Sequence, residues 1–197
     1  AHLSGRPDES TAAGARAHLE AIREGDIERG VRCAIALGMQ LLQRGEMAQA
    51  GGWLARAGRL MEETGYDGVE IPMFEGDPEH YARLGALLDK IGLERTVVSV
   101  LGPGNNPLAA DKSQQQAALA RAKWAIDCCA ALGAPILAGP MHSELGFFSG
   151  NPATAAERKR GLTFHRRAGD YAAKKNVRFA LEALNRFEVY FLNTMEQ

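Results

Sequence analysis

The segment Leu181-Glu182-Ala183-Leu184-Asn185-Arg186-Phe187-Glu188 places two carboxylates six positions apart. Glu182 follows the run Val177-Arg178-Phe179-Ala180-Leu181, so it is expected at the C-terminal end of a buried apolar strand. A carboxylate there is costly unless it is paired or binds a cation. Glu188 can return to the same place from the loop that follows. Two converging carboxylates suit a divalent ion and a hydroxyl-bearing ligand, because hard cations prefer oxygen. The competing reading is a buried salt bridge, with Glu182 held by Arg178 or Arg186. The residues alone leave both open.

Other polar candidates carry less. His80 and His165 fall on helical stretches and are expected to face solvent. His2 and His18 lie near the N-terminus without the Cys/His spacing of a zinc site. Cys128 and Cys129 sit mid-helix beside Ala130 and Ala131 and read as core. The loop Gly102-Pro103-Gly104-Asn105-Asn106-Pro107 is glycine-rich but has neither the Gly-x-Gly-x-x-Gly nor the Walker pattern, so it reads as a βα loop over a pocket. Glu157-Arg158-Lys159-Arg160 and Lys174-Lys175 read as solvated helix faces.

The elements that must position Glu182 alternate strand and helix. Strands are expected at residues 68–72, 96–100, 135–139 and 177–182. Helices are expected from Pro78 to Ile91, from a cap at Asp111 or Ser113 to Gly133, and from Thr154 to Lys175. Strands separated by such helices imply parallel β/α units, whose chemistry sits on the loops after the strands' C-terminal ends. The longest loops here do follow strands.

Upstream the composition changes. Residues 1–64 hold eight arginines and no lysine, whereas all six lysines, seven phenylalanines and four tyrosines come later. That step divides the chain into a helical region, 1–64, and an α/β region, 65–197. Helical spacing runs from Thr11 to Arg23, Val31 to Leu42 and Met47 to Met61, broken at Gly25-Asp26 and Gly45-Glu46. Within residues 26–63, the series Ala34, Leu37, Gly38, Leu41, Gly45, Ala50, Trp53 and Ala57 resembles one tetratricopeptide-type hairpin. A single unit cannot bury its own face, so it must stack on something. A plain helical layer packed on the α/β region is the alternative.

The totals describe an ordinary globular protein. Of 197 residues, 46% are hydrophobic and 24% charged, with 23 basic against 24 acidic side chains. A net charge of −1 gives no electrostatic case for nucleic acid or an anionic membrane. No apolar run approaches the ~20 residues of a membrane helix, and the first residues lack a signal-peptide core. Three cysteines, two of them adjacent, suggest a reducing, cytoplasmic setting.

Residues 65–197 resemble the sugar isomerase/epimerase family with the xylose-isomerase-like TIM barrel, close to the ketose 3-epimerases. The resemblance rests on Gly65-Tyr66-Asp67-Gly68-Val69-Glu70-Ile71, Leu132-Gly133-Ala134-Pro135, and Ala138-Gly139-Pro140-Met141-His142-Ser143-Glu144-Leu145-Gly146. The most specific stretch is Leu181-Glu182-x2-Asn185-Arg186-Phe187-Glu188-x-Tyr190-Phe191-Leu192-Asn193-Thr194. It implies that Glu182 binds a divalent metal (Mn²⁺, or Mg²⁺ or Co²⁺) and moves the C3 proton of a ketose. It implies that Glu188 hydrogen-bonds substrate hydroxyls near the ketone, and it places His142 in the wall of the sugar pocket. The family takes an aspartate, a histidine, a second glutamate and an arginine from later strands, and none of these can be assigned here.

The expected fold is therefore α/β: a partial (β/α) TIM barrel of about four parallel strands, preceded by an α-helical N-terminal region. An open parallel sheet has two edges and an apolar face to cover. The N-terminal helices, a homo-oligomer completing the barrel, or the remainder of a cut or joined chain are the three ways to do so. The ending reads as a cut. The function implied is a ketose 3-epimerase, inactive if the barrel stays incomplete. The alternative is a helical-repeat interaction module with a non-catalytic α/β scaffold.

Overall fold

The computed structural model describes residues 7–65 and 67–197, and all their side chains except those of residues 7, 8, 42, 43, 47 and 62–64. His2 and Tyr66 lie outside the described residues. The chain divides into two compact units, one of residues up to Val69 with Arg83–Glu94, the other of Glu70–Ala82 with Arg95–Gln197.

The helical unit contains α1 (Pro7–Arg23), α2 (Ile27–Gln43), α3 (Met47–Thr64) and, from Arg83 onward, the larger part of α4 (Pro78–Lys90). The breaks fall at the two Gly-acid pairs, where Gly25 and Gly45 adopt φ of 74° and 76°. Every second or third apolar residue of the hairpin series is enclosed: Ala34, Leu37, Leu41, Ala50, Leu54 and Ala57 are all at most 3% exposed. The small residues do what their spacing requires. A Cβ at Gly38 would lie 2.7 Å from Leu54 Cγ, so α2 and α3 touch where that side chain is missing. Trp53 reaches back to α1, meeting the His18 ring edge-on at 5.2 Å.

The α/β unit is built on a four-stranded sheet of order β1-β2-β3-β4, with β1 at Gly68–Pro72, β2 at Glu94–Val98, β3 at Ile136–Ala138 and β4 at Arg178–Phe179. The pairs β2–β3 and β3–β4 are parallel, with Val97 opposite Leu137 and Leu137 opposite Phe179. Spatial order equals sequence order, as helical crossovers of one hand produce. The crossovers are α4 (Pro78–Lys90), α5 (Lys112–Leu132) and α6 (Ala155–Lys174). Asp111 caps α5 by accepting from the Ser113 N–H at 2.8 Å, and Gly133 ends it with φ of 75°. Thr154 and Glu157 form a reciprocal capping box at α6. Ile71, Met73, Val97, Leu101, Ile126, Leu132, Leu137 and Met141 form the core and are essentially sealed from solvent.

β4 is shorter than the expected 177–182. Its ladder continues without regular strand geometry: the Ala180 N–H donates to Leu137 O at 2.9 Å and the Glu182 N–H to Gly139 O at 3.1 Å. Among the described residues no strand lies beyond β4, so this segment is held on one side only. No helix of the described residues is long and apolar enough to cross a membrane.

Candidate functional site

The loops that follow β2, β3 and β4 converge and are stitched to one another by main-chain bonds. Leu101, after β2, makes a parallel bridge with Glu144 and accepts from the Leu145 N–H at 2.8 Å. Gly146, on the β3 loop, donates to Glu188 O at 3.2 Å on the β4 loop. These are the strand ends at which open and closed parallel sheets bind ligands.

The β4 loop has its own scaffold. Asn193 Nδ2 donates to Leu184 O at 2.8 Å and Val189 O at 3.0 Å, and the Leu184 N–H donates to Leu192 O at 3.2 Å. Asn185 accepts from the Phe187 N–H at 2.8 Å and its amide donates to the Glu188 carboxylate. Tyr190 O–H donates to Glu157 Oε1 at 2.7 Å, tying the loop to the first turn of α6. The same carboxylate group closes the α6 capping box through its other oxygen, Oε2. Spacing alone does not point to the Tyr190–Glu157 contact, which joins residues 33 apart, whereas Asn185 acts locally on Phe187 and Glu188.

Glu182 departs from its expected setting. Its side chain is exposed, not buried, because β4 forms the rim of the sheet and nothing packs outside it. Among the described residues no ion pair joins it to Arg178 or Arg186. Glu188 is exposed as well, and its defined partner is Asn185. Among the described residues no three His, Cys, Asp or Glu side chains gather so as to hold a metal ion. A divalent ion therefore does not fit this chain's donor set as it stands, since Glu182 supplies one carboxylate and no second and third ligand accompany it.

His142, expected in a pocket wall, is fully enclosed, with no exposed surface. Its ring lies 6.2 Å from Phe191 and tilted to it, and Nδ1 shares a 2.9 Å hydrogen bond with Ser143 Oγ. The loop after β3 turns back at once, the Met141 N–H donating to Gly139 O at 2.8 Å, and this draws His142 inward. Its Nε2 is buried without a hydrogen-bond partner. Burial pushes the imidazole down to about 4, nearby His165 adds to this, and the Glu182 main chain opposes it.

His165 also differs from expectation. It is half-buried and not solvent-facing, its Nε2 is sealed without a well-formed hydrogen bond, and burial lowers its pKa while the nearby Met141 main chain opposes this. The buried stripe of α6, Gly161, Phe164, Ala168 and Ala172, explains why: position 165 lies at the margin of that stripe. His80 is half-buried and stacks edge-on against Tyr81 at 5.1 Å. His18 is enclosed and bonded through Nδ1 to Gly30 O at 2.8 Å, a satisfied core histidine. Cys128 and Cys129 are core as expected, and burial pushes both thiols up to about 12, which leaves neither as a nucleophile.

Two hollows flank the loops. One, of about 480 Å³, is lined by Phe148, Asn151, Pro152, Arg186, Tyr190 and Asn193 among others. The second, of about 330 Å³, is a largely apolar groove between α6 and the segment after β4, lined by Leu162, His165, Leu181, Ala183, Phe191 and Leu192 among others.

Residues 59–197 match the family model described as the xylose isomerase-like TIM barrel. A probable ketose 3-epimerase of Synechocystis sp. is 31% identical over 133 residues, covering 68% of this chain and 46% of the relative. An L-ribulose 3-epimerase of Methylomonas sp. is 29% identical over 157 residues, covering 80% of this chain and 54% of the relative. The crystal structure of a Methylomonas sp. D-allulose 3-epimerase in complex with D-allulose superposes with a TM-score of 0.64 at 27% identity, covering 73% of this chain and 50% of that one. The chain thus spans about half the length of the relatives it matches.

Proposed function

Because the chain belongs to the xylose isomerase-like TIM barrel family, we propose that it supplies one half of a ketose 3-epimerase site, with Glu182 as the proton-transfer carboxylate and Glu188 as the anchor for substrate hydroxyls. The observation that carries this reading is the stitching of three loops at the strands' C-terminal ends, with both carboxylates exposed on the last of them.

Glu182 would take the proton from C3, and the electron pair left behind would shift onto the adjacent carbonyl oxygen to give an enediolate. Return of a proton to the opposite face inverts C3, and the acid for that step is not assigned among this chain's residues. Glu188, kept in place by Asn185 and by the Gly146 N–H on its carbonyl, would accept hydrogen bonds from the neighbouring hydroxyls. His142 would back the site from behind Phe191 instead of touching the sugar. Glu182 is the one carboxylate this chain offers to a divalent ion, so any metal site would draw its other ligands from outside the described residues. The three free thiols suit the reducing, cytoplasmic setting that we propose for it.

The test is C3 epimerisation of free ketohexoses by the purified chain with Mn²⁺, followed by sugar chromatography and by exchange of the C3 hydrogen with deuterated water. Exchange of the C3 hydrogen is expected, and Glu182→Gln should lower it by about 10²–10⁴-fold with stability little changed. Full turnover in Glu182→Gln, or no exchange at C3 in the unaltered chain, would overturn the assignment. A second reading is favoured by the enclosure of the hairpin positions Ala34, Leu37, Leu41, Ala50 and Ala57: residues 1–64 as a tetratricopeptide-like interaction module, for which substitutions around Trp53 would affect partner capture and leave sugar chemistry untouched.

A further inference from the structure

We propose that the hollow between the β3 and β4 loops holds the phosphate of a phosphorylated ketose, with Arg186 as its counter-ion. The proposal rests on the epimerase reading above and names the substrate class of that site.

The hollow, of about 480 Å³, has the size of a small-molecule site. Its walls are two loops of this chain, each braced before any ligand arrives. On the β4 side Tyr190 O–H donates to Glu157 at 2.7 Å, and Asn193 gives its amide hydrogens to Leu184 O and Val189 O. On the β3 side Ser149 Oγ donates to Asn151 O at 2.8 Å and accepts from the Asn151 N–H at 3.2 Å. The Gly146 N–H to Glu188 O bond and the contact of Phe147 with Tyr190, ring centres 6.3 Å apart, join one wall to the other. Walls already in place lose little freedom when a ligand enters.

The charge of the lining is one-sided. Among the described residues Arg186 is the only charged residue that lines the hollow, and it makes no ion pair. A guanidinium free of carboxylates, with its donors in a fixed fork, matches the oxygens of a phosphate. The β3 wall adds donors. The Gly150 N–H has no acceptor among the described residues. The Asn151 amide spends one hydrogen on Ser149 O at 3.3 Å and keeps the other. Glu157, the carboxylate behind Tyr190, is already engaged by that hydroxyl and by Thr154.

Phe148, 47% exposed, and Pro152 make part of the lining apolar. A bare phosphate gains nothing from such surface, whereas the C–H faces of a sugar do. Arg186 and Glu188 stand two residues apart on the same loop. One ligand can therefore lay its hydroxyls at the carboxylate and its phosphate at the guanidinium.

The experiment is isothermal titration of the purified chain with D-fructose 6-phosphate, D-fructose and inorganic phosphate, together with deuterium exchange at C3 of both sugars. The ester is expected to bind about tenfold or more tighter than either D-fructose or phosphate. Arg186→Gln should bring the ester down to the level of the free sugar and leave D-fructose binding as it was. Arg186 is exposed, so the variant should stay folded, which circular dichroism checks. Equal affinity for ester and free sugar, or a preference that survives Arg186→Gln, would overturn the proposal. Inorganic phosphate binding as tightly as the ester would also overturn it, by showing an anion site that ignores the sugar. Binding does not depend on turnover. An Arg186-dependent preference without C3 exchange of either sugar would sink the epimerase reading alone, and C3 exchange without that preference would sink the phosphate site alone.

Discussion

His18 in the helical unit and His142 in the α/β unit are equally enclosed, at 2% and 0% exposure, yet their environments differ. His18 bonds to the carbonyl of Gly30 and rests edge-on against Trp53. His142 has Ser143 on one nitrogen, and the other, near the Glu182 main chain, makes no well-formed hydrogen bond. Both unpartnered buried nitrogens among the described residues, His142 Nε2 and His165 Nε2, lie in the α/β unit. The helical unit satisfies its polar groups locally and presents a core held by small residues. The α/β unit leaves these two imidazole nitrogens without a well-formed hydrogen bond, beside the main chain of Glu182 and Met141. An unmade buried hydrogen bond costs about 1–3 kcal/mol, so these two nitrogens weigh on the α/β unit.

Glycine substitution should separate the two units most widely. Gly139, with φ of 129°, ends β3 against the neighbouring main chain, and a Cβ there would stand 2.1 Å from Ser99 O. Backbone must move, so Gly139→Ala is expected to cost about 4 kcal/mol or more. A Cβ at Gly38 meets the Leu54 side chain at 2.7 Å, which can rotate away. Gly38→Ala should cost ~1–3 kcal/mol from overpacking, partly offset by the ~1 kcal/mol helix preference of alanine. The chain's two tryptophans report the units separately, Trp53 in the helical unit and Trp124 in the α/β unit. Urea unfolding followed at each residue in single-tryptophan variants measures both costs, and equal losses would end the distinction.

The sequence made visible those features that depend on local chemistry. Asp111, Gly133 and Thr154 mark the ends of α5 and the start of α6 in the chain itself, and the structure uses each; the Glu157 half of the α6 capping box is added by the structure. The Gly25 and Gly45 turns were legible for the same reason. What periodicity cannot report is whether a strand has neighbours. Val177 to Leu181 reads as a buried strand, but at the rim only one side pairs, so the strand shortens and Glu182 faces out. The spacing of Glu182 and Glu188 is compatible with a shared cation, whereas the loop is in fact held by Asn185, Gly146 and Asn193. The burial of His142 and His165 is not legible locally because it comes from segments distant in sequence, Phe191 against His142 and the Met141 main chain against His165.

The unpartnered histidines give the next largest effect. His142 is pushed down to about 4 in the folded chain, against about 6.5 for an unperturbed imidazole. Between those values the unfolded state binds more protons than the folded one, so stability falls as pH is lowered. The contribution is complete above about pH 6.5 and is lost progressively toward pH 4. At pH 5 the loss relative to neutrality is about 2 kcal/mol, with His165 acting in the same direction. Urea midpoints read at Trp124 should track this, and His142→Phe should flatten most of the slope. A slope unchanged in His142→Phe would mean that the α/β unit tolerates a charged imidazole there, and that these nitrogens are less enclosed than the geometry states.

The smallest effects should come from single hydrogen bonds at half-exposed positions, and here the units differ in consequence more than in size. Tyr190 O–H to Glu157 Oε1, at 2.7 Å, joins the Glu188 loop to α6 across 33 residues of sequence. Arg32 to Glu28, at 2.5 Å, joins adjacent turns of α2 on an exposed face. Tyr190→Phe should cost about 1 kcal/mol, since a charged acceptor is lost at a partly wet site, and Arg32→Ala about 0.3 kcal/mol. The difference lies in what each bond holds. Arg32 positions nothing beyond its own helix, so its loss should leave every other property unchanged. Tyr190 anchors the loop that carries Glu188, so its loss should raise KM for a ketose more than it lowers kcat, and should speed amide exchange at Gly146, whose acceptor is Glu188 O. Unaltered exchange at Gly146 in Tyr190→Phe would show that Asn185 and Asn193 hold the loop without help from α6, and would reduce Glu157 to a helix cap.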